Sequence, residues 1–275
     1  MRFPIGPKLG VAVVLMLAAG TARAENFHVE SKVYKVGDKS KKPITEITTV
    51  FSDDVVYDFL TDPQGGLDPE TTIFDVRRGR LIVLDPQRKV MTEVATKTVQ
   101  EFLNKVRIEA AGSKDPLLNF LSNPEFKESE HDGELEFDSP WMIYRLKTEP
   151  AKSDEISRQY GEFSHWSCQM NLLINPGTLP PFGRMVVSEK LEERKVLPTE
   201  VYMTIAPKGP TPKLILRAEH RFVWKLLDKD RDLVNEAQRQ MKIFHAVSTA
   251  EYNDRLKQGA AEVSQAAKGK SQKQK

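Results

Sequence analysis

Residues 73–94, IFDVRRGRLIVLDPQRKVMTEV, limit the fold more than any other stretch of the chain. Three short apolar runs are joined by tight turns at Arg78-Gly79 and Pro86-Gln87, the pattern of an antiparallel meander. The middle run, Leu81-Ile82-Val83-Leu84, is apolar at both parities, whereas a strand with one wet face alternates. Such a segment is dry on both faces, so something has to cover each of them.

Further strands are expected on either side. FHVESKVYKV, ITEITTVF and DVVYDFL precede the meander, separated by GDKSKKP and SD, and DPQGGLDPE forms a loop bounded by Asp-Pro pairs. That makes six antiparallel strands with short connections. From Thr96 the period changes to three and four, with Val99, Phe102, Leu103, Val106 and Ala110 on one helical stripe that Gly112 ends. Asp115-Pro116 opens a short second helix through Leu117, Leu118 and Leu121.

GELEFDSPWMIYRLKT reads as a hairpin turning near Ser139-Pro140, with Leu135, Phe137, Met142, Tyr144 and Leu146 inward. Glu134, Glu136 and Asp138 take the wet face with Arg145 and Lys147, which makes this acidic run a solvated strand rather than a calcium site. Residues 154–174 form a helix carrying Ile156, Tyr160, Phe163, Met170 and Ile174, stopped by Asn175-Pro176-Gly177. GTLPPFGRM is then a rigid surface turn, with Phe182 as a lid or docking element in the sharper reading, and RMVVSEKLEERKVLPTEVYMTIAPK returns to short β and turn segments. KLILRAEHRFVWKLL is a long strand, bent or bulged along a curved sheet. Asp228 or Asp230 caps a last helix bearing Leu233, Ala237, Met241, Phe244 and Val247, and Ser248 with Glu251 makes a capping box for a final turn. The whole is an α+β layout with a curved antiparallel sheet.

The chain begins with Arg2 and Lys8, the apolar run LGVAVVLMLAAG and Ala22-Arg23-Ala24, so residues 1–24 read as a signal peptide cleaved after Ala24. A periplasmic or secreted location follows. Cleavage takes Arg2, Lys8 and Arg23 away and leaves 38 basic against 39 acidic residues, a balance that argues against nucleic acid as a partner. No later run reaches the roughly 20 apolar residues of a membrane-spanning helix, so no integral membrane segment is expected after cleavage. Residues 25–257 form a single domain, and the Lys- and Gln-rich tail 258–275 is expected to be disordered.

VYDFLTDP, TTIFDVRRGRLIVLDPQRKVMTEV and the helix after them resemble the periplasmic lipoprotein-carrier superfamily of LolA and LolB type over residues 29–150. LLINPGTLPPFGRMVVSEKLEERKVLPTEV is similar to segments of uncharacterised exported proteins of that broad fold. The resemblance implies an unclosed β-barrel wrapped around helices, enclosing a greasy cavity. Strand and helix parity then place Phe74, Val76, Leu81, Val83, Val90, Phe102, Val106 and Trp141 toward that interior as ligand-binding residues. One side of RLIVLD is covered by helices, and the other awaits a partner or a lipid-like ligand. The alternative is an envelope structural or protein-interaction module with a filled core.

Catalytic readings have less to stand on. The five histidines are scattered, no HExxH or paired-cysteine spacing offers a metal site, and no nucleophile elbow or phosphate-binding glycine loop is present. No cofactor is expected. His165 and Cys168 lie three residues apart on a helix, where an imidazole can activate a thiol, but a lone small thiol in a helix interface is ordinarily packing. The chain is read as non-enzymatic. Trp141, Tyr144, Tyr160, Phe163 and Trp166 form an aromatic group, read as core packing or as the lining of an apolar pocket.

Overall fold

The computed structural model describes residues 24–39, 41–63, 69–175, 177–205 and 214–254. Residues 1–23 of the expected leader, the tail from Gln258 and most of the loop between the Asp-Pro pairs lie outside these residues.

The six expected strands form as β1 (Phe27–Lys35), β2 (Thr45–Ser52), β3 (Val55–Thr61), β4 (Glu70–Asp75), β5 (Arg80–Asp85) and β6 (Val90–Ala95). Between β4 and β5 a one-turn 3-10 helix, Val76–Arg78, ends at Gly79, whose φ of 67° is the left-handed geometry glycine tolerates. Helix α1 (Thr96–Ala111) buries Val99, Leu103 and Ala110. The Asp115 side chain accepts hydrogen bonds from the backbone of Leu117 and Leu118 and so caps α2 (Pro116–Ser122), as its Asp-Pro start predicts.

β7 (Lys127–His131), which the sequence reading did not anticipate, precedes β8 (Glu134–Asp138) and β9 (Met142–Pro150). Arg145 donates to Glu136 at 2.6 Å on the wet face of the β8–β9 hairpin, and Ser139 organises its turn by accepting from the backbone of Trp141 and Met142. α3 (Asp154–Ile174) is buried on nearly every side. The segment expected to return to β structure instead forms α4 (Phe182–Glu193). Val186-Val187 beside Pro and Gly looks like a strand locally, but Gly183, Val187 and Leu191 recur at four residues and are buried. Gly183 lies against Leu121, Phe126 and Met142, close enough that an added Cβ would stand 3.3 Å from the Met142 sulfur. Phe182 is accordingly a buried first-turn residue rather than a surface lid.

β10 (Val196–Ile205) and β11 (Leu214–Val223) follow, then α5 (Asp228–Ile243) and the two-residue β12 (His245–Ala246), with a last helical turn at 249–254. The irregularity expected in β11 falls in β10, where the register with β9 shifts between Pro198 and Glu200. Pro198 has no N–H for the ladder, which makes this the natural place for a bulge. At the start of the last turn the Ser248 hydroxyl accepts from the Glu251 backbone, as the capping pattern predicts.

All twelve strands share one curved, unclosed sheet in the order β12-β6-β5-β4-β3-β2-β1-β11-β10-β9-β8-β7. It is mixed rather than wholly antiparallel, because His245 and Ala246 pair in parallel with Val90 and Met91. The chain crosses the convex face as α5 before meeting the β6 edge, and a helical crossing of this kind permits a parallel pair. β1 joins the halves of the chain: its His28 is paired with Val50 of β2 on one side and with Val223 of β11 on the other.

Two apolar clusters fill the concave side. One gathers Phe27, Phe51, Phe74, Leu81 and Val83 against α1 and α3, and the other gathers Leu121, Leu135, Phe137 and Met142 against α2 and α4. A third lies on the convex side, where Val234 and Ala237 of α5 join Val50, Tyr57, Ile73, Ile82 and Leu84. This cluster corrects the expectation for RLIVLD: Leu81 and Val83 face the concave helices, and Ile82 and Leu84 lie beneath the chain's own α5. Gln238 donates to the Tyr57 hydroxyl at 3.2 Å, and His28 Nδ1 lies 2.8 Å from Asp230 Oδ2 with both side chains fully buried. The buried stripe of α5 runs through Asp230, Val234 and Ala237 instead of Leu233, which is 37% exposed. Past α5 the chain rounds the β6 edge. Phe244 still packs on the convex cluster, while Val247 and the fully buried Tyr252 join the concave one.

Candidate functional site

Between the two concave clusters, where β1 meets β11, lies a cavity of about 240 Å³. Val29, Tyr160 and Phe163 bound it from one cluster, and Tyr144, Leu146 and Val187 from the other. The space exists because α3 presents Ser157, Gly161 and Ser164 at helical spacing and β11 contributes Ala218, so little side-chain volume enters. Glu192 of α4 crosses Gly161 so closely that a Cβ there would overlap its carboxylate. Ser164 and Ser188 share a 2.8 Å hydrogen bond that ties α3 to α4 beside the cavity.

Four polar side chains face the cavity from four adjacent strands as two cross-strand pairs, offset by two residues between β1 and β2. Ser31 stands opposite His220 in the ladder and shares a 2.7 Å hydrogen bond with its Nδ1. Thr49 stands opposite Asp58 and donates to its Oδ1 at 2.6 Å. Asp58 and His220 keep partial exposure although protein surrounds them, because that surface faces the cavity. Burial pushes the Asp58 carboxyl up to about 6 against the opposing pull of Thr49 and Arg184. The His220 imidazole is lowered to about 4 by burial and, secondarily, by the Arg184 charge.

Arg184 reaches the cavity from α4. Its charge acts on Asp58, His220, Tyr144, Tyr160 and Cys168, groups drawn from β3, β11, β9 and α3, which places the guanidinium among them. The Ser157 hydroxyl is buried, lines the same space and has no hydrogen-bond partner among the described residues. The arrangement is an apolar chamber with a polar end, able to hold a chain or ring and to hydrogen-bond a head group.

The eight residues chosen by parity lie elsewhere. Phe74, Leu81, Val83 and Val90 are buried in the first concave cluster, with Val76, Phe102 and Val106 packed against it. Phe74 and Val76 also line a separate cavity of about 380 Å³ whose wall includes Arg77, Glu155, Arg158 and Glu162. Trp141 is half-buried in the β8–β9 turn and belongs to none of the three clusters. The aromatic group likewise divides: Tyr144, Tyr160 and Phe163 line the 240 Å³ cavity. Sequence reasoning missed Asp58, His220 and Arg184. The signal for the first two was present, since Val56-Asp58-Leu60 and Leu216-Ala218-His220-Phe222 each place a polar residue at an inward position of an apolar alternation. Arg184 was concealed by the reading of its segment as a turn.

Cys168 does not engage the His165 imidazole. Its thiol donates to the His165 backbone carbonyl at 3.1 Å, and burial holds it protonated, up to about 11. Among the described residues no three His, Cys, Asp or Glu side chains gather as a metal site requires, and no helix is long and apolar enough to cross a membrane. No protein-family model matches the chain, and no curated protein matches it.

Proposed function

We propose that the protein is an exported carrier or binding protein of LolA-like fold that holds a lipid, a lipoprotein acyl chain or another apolar ligand in the concavity of its sheet. The observation carrying this reading is the 240 Å³ space between two well-packed clusters, in a class of molecule whose interiors are ordinarily filled. A chain lying there contributes about 0.8 kcal/mol for each methylene taken from water. α3 and α4 flank the cavity and are joined over it by the Ser164–Ser188 bond, so their separation is the movement that would admit and release cargo.

The competing reading is an envelope interaction module without cargo. It draws on the dense packing of the β4–β6 half and on α5, which covers the convex face that a partner or a lipid-like ligand was expected to occupy.

Native mass spectrometry of the mature protein purified gently from its host, followed by organic extraction, separates the two. A stoichiometric added mass lost on extraction is the expected result. A bare mass, together with no response to fluorescent fatty-acid probes, would leave only the interaction module.

A further inference from the structure

We propose that the cavity is built for a single-chain amphiphile with an acidic head group, its carboxylate held by Arg184 and its chain lying along Val33, Leu216 and Met203. The proposal rests on the carrier reading and narrows it to a class of ligand.

Size sets the first limit. A cavity of about 150 Å³ takes a benzene ring. The space here, about 240 Å³, holds one short chain or a small ring system, not the several acyl chains of a lipoprotein anchor.

The second limit is how the wall is ordered along the strands. His220 and Ser31 stand at one level, and Thr49 and Asp58 stand one same-face step away, opposite Val29 and on the side away from Val33, with Arg184 among them. From His220, β11 runs back through Ala218 to Leu216, which pairs with Met203, and from Ser31 β1 runs on to Val33, opposite Ala218. At about 3.3 Å per residue these steps carry the wall roughly 7–13 Å from the His220–Ser31 pair into aliphatic surface. A chamber with a cation at one end and aliphatic walls leading away matches an acidic amphiphile and would leave Arg184 without a purpose for a plain hydrocarbon.

The charges around the cavity specify the acid. β1, β2 and β10 bring no ionisable side chain to it; β9 brings Tyr144, α3 brings Tyr160, and Cys168 lies within reach of Arg184. Burial raises both tyrosines, Tyr160 to about 12, and the thiol to about 11, so all three are neutral at physiological pH. His220, lowered to about 4, is neutral as well. Glu192 also lines the cavity, but it lies two turns further along α4, across Gly161, and the cation acting on it is Arg158 rather than Arg184. Glu70, two residues along β4 from the partner of Asp58, feels the Asp58 charge but accepts from the Tyr252 hydroxyl at 2.7 Å; Asp85, which also acts on Glu70, is paired with Arg88. Asp58 is therefore the acid that competes for Arg184. A carboxylate ligand replaces its charge, so binding takes up one proton at Asp58 and strengthens as pH falls.

Isothermal titration of delipidated protein with decanoate and with decanol, below their aggregation limits and between pH 5.5 and 8, tests this. Decanoate should bind one to one and at pH 6 at least tenfold more tightly than decanol, weakening above pH 6 by up to about tenfold per pH unit, the limit for one linked proton. Asp58→Asn should keep decanoate binding and flatten its pH profile, whereas Glu70→Gln should leave the profile in place. Arg184→Met should weaken decanoate at least tenfold and leave decanol unchanged. Equal binding of decanol and decanoate by the unaltered protein, at every pH, would overturn the acidic head group while leaving the carrier reading intact. No binding of either would overturn both.

Discussion

Replacing Leu84 by alanine tests directly what covers the second face of β5. The side chain is 0% exposed, flanked by Thr71 on β4 and Met91 on β6 and clustered with Val234 and Ala237 of α5. Truncating a buried leucine costs about 2.7–5.0 kcal/mol, and the cost is highest where the surroundings cannot collapse. Hydrogen-bonded strands on both sides pin the backbone here, so the upper half of that range is expected. For a domain of this size it corresponds to a fall in melting temperature of roughly 8–20 °C. The assay is urea unfolding of delipidated protein, with Val234→Ala and the double variant completing a cycle. Side chains within one cluster should couple by about 0.5–3 kcal/mol. Ile243→Ala, at a side chain 60% exposed, serves as the control and should stay within about 0.5 kcal/mol of the parent. A Leu84→Ala cost below about 1 kcal/mol in the absence of lipid, or strict additivity with Val234→Ala, would refute the docking of α5 on this face.

Asp230→Ala should cost about 3–5 kcal/mol, because it removes both the buried partner of His28 Nδ1 and the acceptor for the Leu227 backbone at the start of α5, and the double variant with His28→Ala should lose less than the two singles added together in the same urea assay. Iodoacetamide at pH 8 should leave Cys168 unmodified in the native protein and label it fully in denaturant, as read by mass; equal rates in the two states would contradict its burial. Burial pushes Glu70 from 4.5 up to about 7, so the folded state favours its protonated form. That contribution is complete below about 4.5 and is lost as pH rises through about 7, alongside the same trend from Asp58. Glu70→Gln should therefore shallow the decline in stability over this window, and an unchanged slope in urea midpoints against pH would count against the shift.

Much of the sheet was legible because its strands alternate or are bounded by Gly, Pro and Asp, and α1 and α2 carry their own start and stop signals. α4 was not, since Met185-Val186-Val187 favours a strand locally and becomes helical through docking on Leu121 and Met142. The doubled apolar parity of β5 correctly called for two covered faces. The identity of the second cover could not be read there, because it comes from residues some 150 positions later in the chain. Of the residues picked by parity, Phe74, Leu81, Val83 and Val90 are buried in a packed cluster and Val76, Phe102 and Val106 are half-buried against it; parity distinguishes one face from the other and cannot separate packed from hollow. The cavity follows from small residues on α3 that reach the same level as Ala218, a coincidence of three-dimensional placement.

The β1–β11 pairing has a consequence for when the site comes into being. Ser31 and His220 are 189 positions apart, and the polar wall is complete only once they are neighbours. A chain emerging from its N-terminus first can build the β1–β6 meander early, yet β1 keeps one unpaired edge until nearly the whole polypeptide has been made. Loop closure on this scale makes folding slow and leaves that edge open to other strands meanwhile. Completion of the cavity and completion of the fold are thus one event: the Thr49–Asp58 pair can form within the early meander, but the His220 side of the wall joins it only when β11 closes on β1.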